Sequence, residues 1–262
     1  MDLIPRWIFY CIAGAAGLEL GGLSTVFIRR WIEEKPLFRP FGSQCPVCGS
    51  KLQWRDTIPL LSYLLLRGKC RHCGAHIGSQ YMLVEISCMA WGVALAQRFG
   101  PEQWPAFVVF LVLGCMLVAG SFIDIETLLL PDRITLGGTG LALAASFFLD
   151  EPGWRDAMAG AAVGAAFFWI MQQGYRLWRK EEGLGTGDIK LVAMIGAMTG
   201  LTGLPPTLLI AAVFYGGGMI ACMLRQNPER RGGMIPFGPA LALGGMIYIL
   251  YSAPILYWWK SL

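Results

Sequence analysis

The sequence predicts an all-α polytopic membrane protein of about eight transmembrane helices, with one small cytoplasmic loop held together by four cysteines. Three observations predict it. Hydrophobic residues fill 55% of the 262 positions and charged residues 15%, against roughly 25% charged in a soluble globular chain. Apolar runs of membrane-spanning length recur from end to end. The one polar insertion, residues 29–80, is too short to build its own hydrophobic core and carries two CxxC pairs.

The runs place spans near Trp7 to Ile28, Tyr81 to Gln97, Pro105 to Ile123, Ile134 to Leu149, Trp154 to Trp178, Ile189 to Leu201, Thr207 to Leu224 and Pro236 to Trp258. The first follows Arg6 directly and has no small-residue cleavage site before the basic segment, so it reads as a retained span. The sixth is short and Gly-rich, and crosses a bilayer only if flanking residues extend it. Residues 1–28 thus form the first transmembrane helix, 29–80 the cytoplasmic loop, and 81–262 the rest of the bundle. With eight spans, 17 Lys and Arg fall on one side and 4 on the other. The positive-inside rule then puts the 29–80 loop in the cytoplasm and both termini outside it. Trp7, Trp104, Trp154, Trp258 and Trp259 fall near span ends on the outer side, as an interfacial belt requires. The net charge of +4 is spread among loops, which gives no patch for nucleic acid.

Inside the loop stand Cys45-Pro-Val-Cys48-Gly and Cys70-Arg-His-Cys73-Gly. Each CxxC turn presents two thiolates to one side of a metal, and two such turns complete a tetrahedral four-thiolate site, so Zn2+ is expected on Cys45, Cys48, Cys70 and Cys73. A disulfide pair is the alternative, but a cytoplasmic loop keeps its thiols reduced. A closed four-sulfur shell has no open position for water, which makes the metal structural. His72 and His76 are then solvated or supporting residues. Cys11, Cys88, Cys115 and Cys222 lie singly in apolar runs, as core or lipid-facing residues do.

Ionisable groups within apolar runs are costly and point to function. Glu19 and Glu85 lie in the first two spans, Asp124 at the inner end of the third, and Asp188 at the inner start of the sixth. The inferred orientation brings Asp124 and Asp188 to one membrane face at comparable depth. Asp188 belongs to Gly183-Leu184-Gly185-Thr186-Gly187-Asp188, whose glycines oppose a stable helix and let an extended peptide approach. Read alone, Asp188 is equally a helix cap and Asp124 a solvated helix end; Asp132, after Pro131, fits an N-cap. Read as a pair, two carboxylates sharing a proton can hydrolyse a peptide bond, one as base and one as acid. No HExxH or GxSxG occurs, and both histidines lie in the cysteine loop. A proton-coupled transporter and a non-catalytic membrane scaffold are the competing readings. A transporter predicts inverted repeats and acidic groups near the midplane, and the sequence has no long repeat.

Further motifs follow one another in order. They are Gln53-Trp54, Ile58-Pro59-Leu60-Leu61-Ser62-Tyr63 and Arg67-Gly68-Lys69-Cys70 around the cysteines, then Tyr81 and Val84-Glu85, Asp124 to Asp132, Gly183 to Leu191, and Ile235-Pro236-Phe237-Gly238-Pro239. With these motifs the chain resembles the bacterial type IV prepilin leader peptidases, which are membrane aspartic proteases of the GxGD class. The resemblance implies that Asp124 and Asp188 are the catalytic dyad, with Gly185, Gly187 and Lys190 supporting it or gating the substrate. It implies that prepilin or pseudopilin precursors are cut after a glycine at the cytoplasmic face of the inner membrane, beside pilus or secretion assembly machinery. Many relatives also methylate the new amino terminus with S-adenosylmethionine, an activity tied to the amino-terminal half and here to Glu19 and Glu85. The chain departs from the pattern there. Gly21-Gly22-Leu23-Ser24-Thr25-Val26 replaces a Gly-Ser-Phe-Leu-Asn-Val type motif, Thr57 stands for an Asn, and Met89 for a Gly. Methylation therefore stays open beside proteolysis.

Overall fold

A computed structural model describes residues 5–36, 45, 47–56, 58–180, 185–224 and 236–261. Thr57, Gly183, Leu184, Ile235 and the side chains of Trp54 and Cys222, all named above, lie outside the described residues. Regular structure is almost wholly helical: α1 Arg6–Ile32, α2 Leu61–Leu65, α3 Ser79–Phe99, α4 Trp104–Thr127, α5 Asp132–Ala145, α6 Trp154–Arg179, α7 Thr186–Leu224 and α8 Gly238–Ser261. Four of these, α1, α4, α7 and α8, are long and apolar enough to cross a membrane by length and composition. By contrast the 14 residues of α5 rise only about 21 Å against roughly 30 Å of hydrocarbon.

The chain forms two compact units, Met1–Phe122 and Ile123–Leu262. In the first, α1 and α3 lie backbone to backbone. A Cβ at Gly17 would strike the Cys88 carbonyl, one at Gly21 would come within 2.8 Å of Glu85 Cα, and one at Gly92 would strike the Ala13 carbonyl. Glycines four residues apart on one helix permit this approach, a habit of membrane helices that lack a hydrophobic drive to associate. Trp91 of α3 fills a notch left by Gly114 of α4 and donates its indole N–H to the Phe110 carbonyl at 3.0 Å. Cys88 and Cys115 are buried, while Cys11 is exposed.

In the second unit, Gly160 of α6 and Gly196 of α7 each face the other's backbone, and Gly164 admits Val192. Helix α7 breaks at Gly200, whose φ of 72° lies in the left-handed region open to glycine. Asp156 of α6 closes the break by accepting the Leu201 N–H at 3.2 Å. The apolar pattern alone starts this second helical segment at Thr207; it starts at Leu201 because a carboxylate from another helix satisfies its first amide. The same kind of displacement moves α5, expected over Ile134 to Leu149, to Asp132–Ala145. Asp132 is its first helical residue, and no side chain caps the helix start. The Asp132 carboxylate instead meets Lys190 Nζ at 2.5 Å.

Candidate active site and metal centre

Asp124 does not end its helix. It sits one turn inside α4, 5% exposed, and the helix closes only when Leu128, at φ 54°, returns its N–H to the Asp124 carbonyl at 2.9 Å. That left-handed residue terminates the helix. The buried carboxylate accepts the Gly238 N–H on Oδ2 at 3.0 Å. Gly238 opens α8, where backbone N–H groups have no intrahelical partner and carry partial positive charge. A Cβ there would lie 2.5 Å from Asp124 Oδ2.

Asp188 is the third residue of α7, half-buried, with its N–H donating to the Gly185 carbonyl at 3.2 Å. Helix α7 takes in Thr186 and Gly187, so the glycine run is less open than its composition suggests. Gly187 is required for packing: a Cβ would sit 3.0 Å from that of Leu130. Gly185 lies beside Asp188, where an added Cβ would come within 3.4 Å of Oδ2. Lys190 points elsewhere, to Asp132, and ties α7 to α5.

In the first unit the four cysteine sulfurs lie within 4.8 Å of one another. The two knuckles fold alike. Cys45 N–H donates to Ser50 O and Cys70 N–H to Ala75 O, at 3.0 and 2.8 Å, and Gly49 and Gly74 follow at φ 68° and 70° with their N–H on the Cys45 and Cys70 carbonyls. Sulfurs bonded at about 2.3 Å to one tetrahedral metal stand about 3.8 Å apart, and Cys45 and Cys73 Sγ are 3.8 Å apart. All four thiols are free. The Ser50 hydroxyl, then its amide, pulls the Cys48 thiol down to about 6, and the amides of Cys73 and His72 lower Cys70, whereas, against the Ala75 amide, burial and the neighbouring cysteines push Cys73 up to about 12. Donors that stabilise thiolate are what a metal site needs. Arg71 grips Asp56 at 2.7 Å and fixes the second knuckle to the turn at Trp54–Asp56. His72 and His76 are exposed. Four cysteines this close can bind a metal.

Residues 15–99 match the Bacterial Peptidase A24 N-terminal domain and residues 111–220 match the Type IV leader peptidase family. A prepilin leader peptidase/N-methyltransferase of Aeromonas hydrophila is 38% identical, over 97% of this chain and 95% of its own. Proteins of the same name from Pseudomonas putida and Xanthomonas campestris pv. campestris are 38% and 40% identical, over 81% and 80% of this chain and 73% and 72% of theirs. The chain belongs to the type IV leader peptidase family. No solved structure matches it. The amino-terminal match holds Glu19, Glu85 and the four cysteines, and the family's second match holds Asp124 and Asp188.

Gly238 lies beyond both matches; its motif is visible in the sequence, but its bond to Asp124 is not. Glu19 and Glu85 diverge in setting. Glu19 is exposed on α1, whereas Glu85 is half-buried on α3 and accepts the Leu60 N–H at 2.7 Å. Glu85 also lines a cavity of about 250 Å³ with Gly22, Arg29, Asp56, Tyr63 and Tyr81.

Proposed function

We propose that this chain is a prepilin leader peptidase of the inner membrane, cutting type IV prepilins or pseudopilins after a glycine with Asp124 and Asp188 as its catalytic dyad. The observation that carries the reading is the Asp124 carboxylate buried on the Gly238 amide, with Asp188 one residue past the Gly187 that packs on Leu130. One carboxylate takes a proton from water as it attacks the scissile carbonyl; the other hydrogen-bonds the carbonyl oxygen, and a proton then passes to the leaving amine. The Gly238 N–H keeps Asp124 Oδ2 committed as an acceptor, leaving Oδ1 to face water and substrate. Gly185 keeps a side chain away from Asp188, Gly187 lets α7 pack on Leu130, and Lys190 holds α7 against α5 through Asp132. All eight apolar segments cross the bilayer in this reading, with α7 counted as two at Gly200 and the membrane thinned about the short α5. The cysteine loop and dyad are cytoplasmic and both termini are outside, as the basic residues require.

The cysteines hold structural Zn2+, an assignment supported by four sulfurs within 4.8 Å of one another and by the 3.8 Å between Cys45 and Cys73. The cavity beside Glu85 favours retention of methyl transfer. A bound S-adenosylmethionine would supply an electrophilic methyl group to the new amino terminus. Glu85, Asp56, Tyr63 and Tyr81, which line that cavity, suit its sulfonium charge. Asp124→Asn and Asp188→Asn, assayed on a prepilin substrate, are expected to lose cleavage and keep full zinc content. Retained cleavage by either variant overturns the dyad. Mass analysis of the mature amino terminus in the same reaction reads methylation.

A further inference from the structure

We propose that residues 58–66 re-enter the bilayer and lay Leu61, Leu64 and Leu65 against the acyl chains of the leaflet on the Arg29 side. This revises the picture of 29–80 as a purely cytoplasmic loop, and it rests on α1 and α3 crossing the bilayer.

Depth comes first. Gly22 lies two helical turns, about 10 Å, from Arg29 toward the bilayer centre, and Arg29, paired with Glu33, marks the charged end of α1. A Cβ on Gly22 would come within 2.9 Å of Pro59 Cγ. Leu60 is held at the same level by Glu85 Oε2, and Glu85 backs directly onto Gly21. On α3, Glu85 is about 9 Å along the axis from Ser79. Pro59 and Leu60 therefore sit well below the ends of both helices, and α2 begins there.

At that depth the outward face of α2 is leucine only. Leu61, Leu64 and Leu65 are 49%, 64% and 73% exposed, comparable to Leu23 at 66% on the outer face of α1 beside Gly22. Water would leave a compact apolar patch uncovered, whereas hydrocarbon is the solvent at this level. The chain turns back through Arg67 and Gly68, both at positive φ, and the exposed Arg67 and Lys69 stand at the exit. Long basic side chains reach headgroups from such positions.

Hydrocarbon also demands that every backbone polar group be paired. Pro59 has no N–H to satisfy. Ser62, Leu64 and Leu66 donate to the carbonyls of Ile58, Leu60 and Ser62 at 3.1, 3.0 and 2.9 Å, and Leu61 to that of Pro59. The amide of Leu60, at the turn with φ 58°, is taken by Glu85. An intramembrane glutamate thus has a structural role, receiving the amide that a re-entrant turn cannot pair within itself.

The test places benzoylphenylalanine at Leu64, Leu65, Leu23 or Lys51 in the full chain, reconstituted in phosphatidylethanolamine and phosphatidylglycerol vesicles and irradiated. Intact mass then reads adducts. Expected are acyl-chain adducts at Leu64 and Leu65 with yields within about twofold of Leu23, and their loss at Lys51. Adducts at Leu23 without any at Leu64 and Leu65 would overturn the re-entrant segment and leave the α1 span standing. A second-copy adduct at Leu64 or Leu65 would overturn it as well, by showing a protein on that face. No lipid adduct even at Leu23 would remove the α1 span itself, and the proposal with it.

Discussion

Replacing Gly238 by alanine probes the proposed dyad without substituting either carboxylate. The added methyl carbon would lie 2.5 Å from Asp124 Oδ2 and 3.2 Å from its carboxyl carbon. Ordinary contact needs about 3.4 Å, so the carboxylate must retreat by about 1 Å, a displacement that costs on the order of 100-fold in rate when it falls on a reacting group. Asp124 has little room, being 5% exposed. Steady-state cleavage of a prepilin substrate should show kcat reduced about 100-fold with KM nearly unchanged, because the leader and apolar helix of the substrate still bind. Zinc content should remain full. Gly217→Ala is the matched control: nothing lies within 4 Å of a Cβ there, and alanine in a helix is favoured over glycine by about 1 kcal/mol. A Gly238→Ala enzyme with wild-type kcat would refute the claim that this amide positions Asp124.

Cys70→Ser should lower bound zinc, measured by mass spectrometry, and lower the thermal midpoint, because four-sulfur closure is what folds a loop too small for its own core. Lys190→Met should cost only about 0.2–1 kcal/mol in thermal unfolding, since its Asp132 partner is 60% exposed; loss of cleavage out of proportion to that would give Lys190 a direct part in the site. The Arg71 hydrogen bond holds the Asp56 carboxyl below the usual carboxylate range. Its folded value is depressed, so the pair stabilises the loop above the unfolded value near 3.9, and this is lost as pH falls through the folded one. Asp56→Asn should therefore flatten the acid limb of the unfolding midpoint against pH. Glu85→Gln keeps an acceptor for the Leu60 amide and should preserve thermal stability, whereas Glu85→Leu should lower it; equal loss in both would mean that the charge, and not the accepted hydrogen bond, is what Glu85 supplies.

What the sequence made legible follows from how local each signal is. The four-cysteine cluster could be read because CxxC-Gly knuckles carry their geometry within five residues, and the structure draws both pairs together. Asp124 and Asp188 stood out because carboxylates are rare in apolar sequence. Helix existence was equally plain for most segments, since most apolar runs are long; the sixth, short and Gly-rich, was the exception. Boundaries failed where a distant partner decides them. Asp132 looks like a cap by local propensity, yet Lys190, 58 residues away, takes its carboxylate. The start at Leu201 depends on Asp156, 45 residues earlier. Gly238 was visible as part of a motif, but its role is exerted by a backbone N–H across 114 residues, and no residue type announces a backbone donor.

Glu85 shows the same limit from the other direction. A glutamate in an apolar helix signals function by its cost alone, and sequence cannot say whether the charge serves chemistry or the chain's own backbone. The bond to Leu60 and the close passage of Gly21 and Gly22 against Glu85 and Pro59 supply a physical use that needs no substrate. The same carboxylate borders the cavity proposed for a methyl donor. The Leu60 amide occupies Oε2, so the proposed recognition of a cation would fall to Oε1. Support of the turn and recognition of a cation are thus compatible on one side chain, and a defect in methylation at Glu85 becomes chemically informative only after the turn has been shown to hold.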